Sequence, residues 1–337
     1  MQPISFYQRH LDQVSRSFAF CIACLEEDLR LWISISYLLC RLLDTIEDAA
    51  WPSEEKKNLS FEAFQKFINE KPSEDEVYYW ASQFSKDIPQ TERELLNEAS
   101  SIFLDFHSLG PQIKIKIRRG VLNMARGMIY FSKVERRRLK NLAEVNQYCF
   151  FVAGVVGEIL TDLQSEKMSF IKVNNLYYLS HHFGLFLQKI NLLKDQKTDE
   201  GEGRFLVPSR VQVLQSLAVN AKYAFDYIQS IPLQATSYRL FCSWSFFLGI
   251  YSLDWIQQSW TLKVIEKIPR VFTQQLLMRI QGIIDDNVAL EKLFKAKFKQ
   301  ISSQDHLKIS SDLTWFHSVY EGKLELDHLD GLGMLRS

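Results

Sequence analysis

Two acidic segments of the chain have the residue types and the spacing that metal-assisted chemistry requires. In the first, Asp44 and Asp48 are four residues apart with Glu47 beside them, so a helix would place these carboxylates on one face. The flanking residues are apolar, which predicts partial burial, where carboxylates that repel one another are unfavourable unless a cation binds. Mg²⁺ suits such a site because it prefers carboxylate, water and phosphate oxygens. A solvated helix face is the alternative for this pair taken alone.

The second acidic segment repeats this spacing. Asn191, Asp195 and Asp199 follow one another at four-residue steps, and Gln188 lies about one turn before Asn191. Two such helix ends facing each other could hold roughly two or three Mg²⁺ ions around a diphosphate. The metal would draw charge from the leaving group, so that an allylic C–O bond could ionise without protonation. Together, the two segments predict metal-assisted diphosphate chemistry.

The elements that must position these residues are predicted to be helices. Apolar residues recur at three- and four-residue steps, and 13 glycines and 8 prolines in 337 residues are too few for the turns of a β fold. A polar stretch at 196–208, with Gly201 and Gly203, predicts a mobile loop over the site. We find no linker, and expect one catalytic domain at 1–301 and a polar extension at 302–337. The predicted helices are 8–50, 60–68, 91–107, 113–131, 145–163, 174–194, 211–231, 238–260, 270–286 and 289–301.

Composition narrows the class of protein. Forty Lys and Arg balance forty Asp and Glu, so no global positive field would attract nucleic acid, and we expect no nucleic-acid partner. The five cysteines are odd in number and lie in apolar stretches, which favours a reduced, cytoplasmic compartment. No window approaches about eighteen apolar residues, so we expect at most a peripheral contact with the cytoplasmic membrane, where a lipid product could leave.

Four motifs, in order along the chain, resemble the signatures of squalene and phytoene synthases. They are Ser15-Arg16-Ser17-Phe18, Tyr37-x-x-x-Arg41-x-x-Asp44-Thr45-Ile46-Glu47-Asp48, the segment from Tyr148 to Gly157, and Gly184-Leu185-Phe186-Leu187-Gln188-Lys189-x-Asn191-x-x-x-Asp195. The resemblance extends from about Leu11 to Arg270. It implies an all-α, single-domain isoprenoid synthase bundle of helices around a central cavity, and a prenyltransferase that joins two allylic diphosphates head to head.

The resemblance also assigns roles to individual residues. Arginines suit the diphosphate because a guanidinium binds phosphate oxygens in pairs. Tyrosines suit the carbocation steps, since the ring face stabilises a cation and the hydroxyl can relay a proton, although tyrosines in apolar helices are commonly core residues. The implied sets are Asp44, Glu47, Asp48, Asn191, Asp195 and Asp199 for metal; Arg16, Ser17, Arg41, Gln188, Asn191 and Arg204 for diphosphate; Tyr37, Tyr148 and Arg41 for catalysis; and Lys267 and Arg270 for the phosphates of NADPH.

The implied reaction converts two farnesyl diphosphates through presqualene diphosphate to squalene, with Mg²⁺ and, if the product is reduced, NADPH. The alternatives are a phytoene, dehydrosqualene or presqualene diphosphate synthase, a cyclase that uses one diphosphate, and an inactive relative acting as an assembly factor. Ala49 replaces an aspartate common in the family, Ser245-Phe246 replaces a proline-glutamine pair expected in the cavity wall, and the polar tail indicates a soluble, bacterial-type member. The phenylalanines expected to line the pocket are Phe18, Phe150, Phe151, Phe183 and Phe186.

Overall fold

A computed structural model describes residues 1–133, 137–168, 170, 175–262 and 268–302, and their side chains except those at 16, 17, 261, 262 and 302. Its α-helices are α1 (Ile4–Val14), α2 (Arg16–Ala23), α3 (Glu27–Asp48), α4 (Glu54–Asn69), α5 (Glu74–Ser82), α6 (Gln90–Asn97), α7 (Ala99–Ser108), α8 (Pro111–Phe131), α9 (Leu142–Cys149), α10 (Val155–Lys167), α11 (Leu176–Gly201), α12 (Arg210–Ser230), α13 (Thr236–Leu262), α14 (Arg270–Gln281) and α15 (Asn287–Ser302). One π-helical turn, Phe150–Gly154, joins α9 to α10. Within the described ranges no strand forms beyond an isolated bridge between Arg138 and Phe205, which confirms the all-α prediction.

The bundle is organised around two long helices whose carboxyl ends carry the acidic segments. Helix α11 packs against α10, α12, α13 and the π-helical turn, and α3 packs against α1, α7, α8 and α10. Both helices bury apolar residues along most of their length, including Leu38, Leu39 and Leu42 on α3 and Leu192 and Leu193 on α11. This burial fixes the position of the polar residues at their ends.

The prediction of one continuous helix at 8–50 is wrong in one respect, because the segment is divided into α1, α2 and α3. Ser15 adopts an extended conformation, with φ −161° and ψ 90°, and ends α1 although no glycine or proline marks the break. Helix α5 was also missed, in a region whose polar composition obscured its apolar period. Its signal was present as a capping box, in which the Ser73 and Glu76 side chains satisfy each other's backbone N–H groups.

The loop predicted at 196–208 begins later than expected. Residues 196–201 belong to α11, and the non-helical part is 202–209. This part is tied to the segment after α8, since the Phe205 N–H donates to the Arg137 carbonyl at 2.7 Å and the Leu139 N–H donates to the Phe205 carbonyl at 3.1 Å. The polar end of α11 has no apolar period that would have predicted a helix.

Helices α10 and α11 approach so closely that their contact requires glycine. A Cβ atom on Gly157 would lie 2.1 Å from the Ser180 carbonyl oxygen, and one on Gly184 would lie 2.2 Å from the Ala153 carbonyl oxygen. Both obstacles are backbone atoms, which cannot move aside as a flexible side chain can. The absence of a side chain at Gly157 and Gly184 is therefore what permits these contacts.

The Gly184→Ala variant should lower the free energy of unfolding by about 3 kcal/mol, because the added methyl group overpacks a rigid helix contact. Gly201→Ala, in the same helix, is the matched control. A Cβ there meets nothing within 4 Å, so its effect should stay within about 0.5 kcal/mol or be stabilising. Denaturant unfolding of the two variants beside the wild type measures both values, and equal stabilities would contradict the close packing of α11 on the π-helical turn.

Among the described residues, none of the helices combines the length and the apolar composition needed to cross a bilayer.

Candidate active site

A cavity of about 490 Å³ lies between the carboxyl ends of α3 and α11 and extends into the bundle. Its polar end is formed by the two acidic segments. Its inner part is lined by apolar and aromatic side chains from α2, α10, α11 and α13, including Ile22, Leu160, Phe183 and Phe241. The cavity thus joins a charged mouth to a hydrophobic interior, which matches a substrate with an anionic head and an apolar chain.

The structure brings most of the predicted site residues to this one cavity. Its lining includes Tyr37, Arg41, Asp44, Glu47, Asp48, Tyr148, Gln188, Asn191, Asp195, Asp199 and Arg204. The side chains of Arg16 and Ser17, and the whole of Lys267, lie outside the described residues. Arg270 is exposed as the first residue of α14 and does not line the cavity.

Arg204 connects the two acidic helix ends. Its Nη1 lies 2.6 Å from Oδ1 of Asp48 on α3, and its Nη2 lies 2.8 Å from Oδ1 of Asp199 on α11 and 3.1 Å from Oε2 of Glu202. The Arg204 N–H also donates to the Asp199 carbonyl at 2.8 Å. One guanidinium therefore supplies positive charge between carboxylates that would otherwise repel each other.

The carboxylates are incompletely compensated even with Arg204 in place. Burial raises the pKa of Asp44 to about 7, against the opposing effect of Arg41. Burial is the larger cause, and the charge of neighbouring Asp48 the second, that raises the pKa of Glu47 to about 8. Burial also raises the pKa of Asp199 to about 6. The ionised forms are thus unfavourable, and a cation at this mouth would stabilise them.

The donor set fits a hard divalent cation, since it consists of carboxylate and amide oxygens. Among the described residues, no group of three or more His, Cys, Asp or Glu side chains is arranged to hold a metal ion by itself. A metal bound here would therefore need further oxygen ligands, and Mg²⁺ commonly obtains them from water and from substrate phosphates.

These raised pKa values predict how stability depends on pH without divalent ions. Asp44 and Glu47 bind protons more tightly in the native state than in the unfolded chain, so their contribution to the free energy of unfolding should fall as pH rises from about 4 to about 8. Asp44→Asn should flatten this slope, whereas Glu62→Gln, at an exposed position on α4, should not. The difference between the melting temperatures of Asp44→Asn and the wild type, measured across this range, tests the sign, and a difference that does not change with pH would contradict it.

Two residues that support the site were not predicted from the sequence. Glu92, on α6, accepts hydrogen bonds from Nε of Arg41 at 2.9 Å and from Oγ1 of Thr45 at 2.7 Å. Lys57, on α4, donates to the Glu47 carbonyl oxygen at 2.6 Å and so caps the end of α3. Neither residue belongs to a motif, and their contacts depend on how separate helices pack.

The two tyrosines remain neutral phenols in the cavity wall. Burial raises the pKa of Tyr37 to about 12 and raises the pKa of Tyr148 well above its ordinary value. The Tyr37 ring lies 5.8 Å from that of Phe18, which also lines the cavity. Tyr148 is the penultimate residue of α9 and lies two positions before the π-helical turn. Such turns are common near functional sites.

Only part of the predicted aromatic lining is correct. Phe18 and Phe183 line the cavity, whereas Phe150, Phe151 and Phe186 are buried outside its lining. Ser245 lines the cavity, but Phe246, expected beside it in the wall, does not. The Phe246 ring is fully buried and packs 4.9 Å from that of Phe186. Adjacent residues on a helix point in different directions, so only one of the pair reaches the cavity.

The chain matches the family model described as squalene/phytoene synthase over residues 11–222, which is more than half its length. The protein therefore belongs to the squalene/phytoene synthase family. It is 28% identical over 294 residues to a squalene synthase of Saccharomyces cerevisiae, covering 84% of this chain and 63% of that protein. It is 32% identical over 204 residues to the squalene synthase of Rattus norvegicus, covering 60% of this chain and 46% of that one. The chain spans less than two thirds of the length of these relatives.

Solved structures of the family share the fold. TcSQS in complex with a ligand superposes with a TM-score of 0.75 at 22% identity, covering 91% of this chain and 93% of that chain. A dehydrosqualene synthase superposes with a TM-score of 0.57 at 15% identity, covering 83% and 96% respectively. These likenesses support the isoprenoid synthase bundle. The family consists of prenyltransferase-type enzymes that bind prenyl diphosphates.

Proposed function

We propose that this protein is a Mg²⁺-dependent prenyltransferase that condenses two farnesyl diphosphates head to head, through presqualene diphosphate, to squalene. The observation that carries the proposal is the meeting of two acidic helix ends at the mouth of one cavity whose interior is apolar. The carboxylates suit metal and diphosphate, and the interior suits two isoprenoid chains. Retention of Asp44, Glu47, Asp48, Asp195 and Asp199 disfavours an inactive assembly factor.

At the mouth of the cavity, one set of residues would bind the metal and another would bind the diphosphate. Asp44, Glu47 and Asp48 on α3, with Asn191, Asp195 and Asp199 on α11, would hold the metal. Mg²⁺, when bound there, supplies Lewis-acid stabilisation of the departing diphosphate. Arg41, Arg204 and Gln188 would bind its oxygens, together with Arg16 and Ser17. Arg204 would then exchange carboxylate partners for phosphate oxygens, because both are anionic and accept from a guanidinium.

The interior would protect the cationic intermediates. Apolar residues exclude water, which would otherwise quench an allylic cation to an alcohol. The rings of Tyr37 and Tyr148 offer their faces to a passing cation, and because both phenols stay protonated they can donate hydrogen bonds to a departing diphosphate. The tyrosines thereby connect the charged mouth with the apolar interior.

The proposal includes a final reduction by NADPH, which gives squalene. Squalene as product is supported by the similarity to squalene synthases, and it would require NADPH, with Lys267 and Arg270 holding the cofactor phosphates. Dehydrosqualene, phytoene or presqualene diphosphate are the alternative products.

We further propose that residues 1–301 form the catalytic domain and 302–337 an extension.

The product is tested by incubating the protein with farnesyl diphosphate and Mg²⁺, with and without NADPH, followed by mass analysis of the lipid extract. Squalene that forms only with NADPH is the expected result. Dehydrosqualene in both arms, or accumulation of presqualene diphosphate, would replace the proposed product and keep the reaction class. Turnover of geranylgeranyl diphosphate alone would favour phytoene.

A further inference from the structure

Glu92 is a buried carboxylate behind the cavity wall, and within the described part of the chain its side-chain partners lie on another helix, α3. It lies on α6 with 5% of its surface exposed, and it does not line the cavity. Its Oε1 accepts from both Nε and Nη2 of Arg41, and its Oε2 accepts from the Thr45 hydroxyl. The acid therefore binds two residues one turn apart on α3.

The contact uses one edge of the Arg41 guanidinium and leaves the other for the cavity. Nε and Nη2 are engaged by Glu92, whereas Nη1 lies 3.6 Å from Oδ2 of Asp44, on the cavity side. Arg41 itself lines the cavity. A guanidinium is rigid and planar, so fixing one edge fixes the direction of the remaining donors.

Thr45 extends this effect to the acidic segment. Its hydroxyl donates to Oε2 of Glu92 at 2.7 Å and lies 2.9 Å from the Arg41 carbonyl oxygen. Thr45 is buried, and in the sequence it lies between Asp44 and Ile46, near the end of α3. Glu92 thus restrains both the cationic and the acidic part of the mouth without entering it.

We propose that Glu92 is a positioning residue for diphosphate binding, which it serves by holding Arg41 with the Nη1 edge, which Glu92 does not engage, toward the cavity. The proposal rests on the proposed function, in which Arg41 binds the diphosphate. A purely structural ion pair would stabilise the fold equally well, but it would not change the affinity for diphosphate in the folded protein. The two roles can therefore be separated by binding measurements.

The test is a double-mutant cycle read by calorimetric binding of inorganic pyrophosphate in the presence of Mg²⁺. Glu92→Ala should weaken the affinity about tenfold, the effect of misplacing one charge-assisted hydrogen bond. In the Arg41→Ala background the same change should cause no further loss, because Glu92 acts through Arg41. It should even restore some affinity there, since Arg41→Ala leaves a buried anion near the mouth.

Asp105→Ala is the matched control. Asp105 is a buried acid on α7 that accepts from the Tyr7 hydroxyl and the Gln2 N–H and does not line the cavity. Its loss should lower the melting temperature and leave pyrophosphate affinity unchanged. If Glu92→Ala does not fold, Glu92→Gln keeps the size and one acceptor oxygen, and should weaken binding about threefold in the same Arg41-dependent way.

The outcomes separate this inference from the proposed function. Unchanged affinity in the Glu92 variants beside weakened affinity in Arg41→Ala would overturn the inference alone. Equal weakening by Glu92→Ala with and without Arg41 would overturn it as well. Absence of pyrophosphate binding by the wild-type protein would overturn the proposed function, and the positioning role with it.

Discussion

Asp44→Asn should lower the turnover of farnesyl diphosphate by about a thousandfold at saturating Mg²⁺, because it removes a charged metal ligand at the point where leaving-group charge develops. The same change should not destabilise the fold. Burial raises the pKa of Asp44 to about 7, so its ionised form is unfavourable in the absence of metal, and an amide of equal size removes this penalty. Steady-state kinetics together with thermal unfolding measures both effects.

The control for this prediction lies on the same helix. Asp28, in the first turn of α3, pairs with Lys167 and is remote in sequence from the acidic segment at the other end. Asp28→Asn should change turnover by less than about threefold. Turnover close to the wild-type rate in Asp44→Asn would contradict the assignment of the α3 carboxylates to the metal.

Arg204→Met should lower kcat/KM by about a hundredfold, because the variant loses the guanidinium that joins the two acidic helix ends. Asp48, Asp199 and Glu202 would then face one another without their shared cation. The segment 202–209 would also lose an anchor, so its backbone amides should exchange with solvent faster. Kinetics and hydrogen exchange of the variant give the two readouts.

Arg210→Met is the matched control for this second variant. Arg210 follows the same segment, but its Nε donates to Oε1 of Gln196 at 2.6 Å and its guanidinium stacks 4.7 Å from the ring of Trp260. Neither of these contacts of Arg210 involves a carboxylate. We expect its kcat/KM to stay within about threefold of the wild type. An equal loss in both variants would mean that Arg204 acts by general support of the segment and not by its charge.

The sequence contained enough information for the helical bundle and for the polar half of the site. Asp44 and Asp48, like Asn191 and Asp195, lie four residues apart on apolar helices, and this period alone determines that they share a face. That these two faces meet in one cavity could be expected only from the order of the family motifs, because periodicity does not specify which helices pack together.

The residues that sequence reasoning missed depend on tertiary packing. Glu92 is 51 positions from Arg41, and nothing in its own segment indicates that α6 places it behind α3. Phe246 was misplaced for a related reason. Helix α13 is apolar around most of its circumference, so its sequence does not reveal which side meets the cavity and which meets the core. The break at Ser15 likewise has no local breaker residue.

The mouth of the cavity can be understood as a balance of charge. Asp44 and Glu47 on α3 and Asp199 on α11 have raised pKa values, and Arg204 and Arg41 supply part of the charge compensation. The arrangement is therefore prepared for further cations and for a polyanionic head group that brings oxygens with it. Lys57 and Glu92 hold this mouth from outside the cavity.

The central claim is that one cavity joins two prenyl diphosphates, and the most direct measurement compares the pyrophosphate released with the lipid formed from farnesyl diphosphate and Mg²⁺. The account predicts a product that contains two farnesyl chains, formed with loss of at least one pyrophosphate per product and absent when Mg²⁺ is chelated. Pyrophosphate released together with only farnesol or a cyclised single chain, or no lipid product from any prenyl diphosphate, would contradict it.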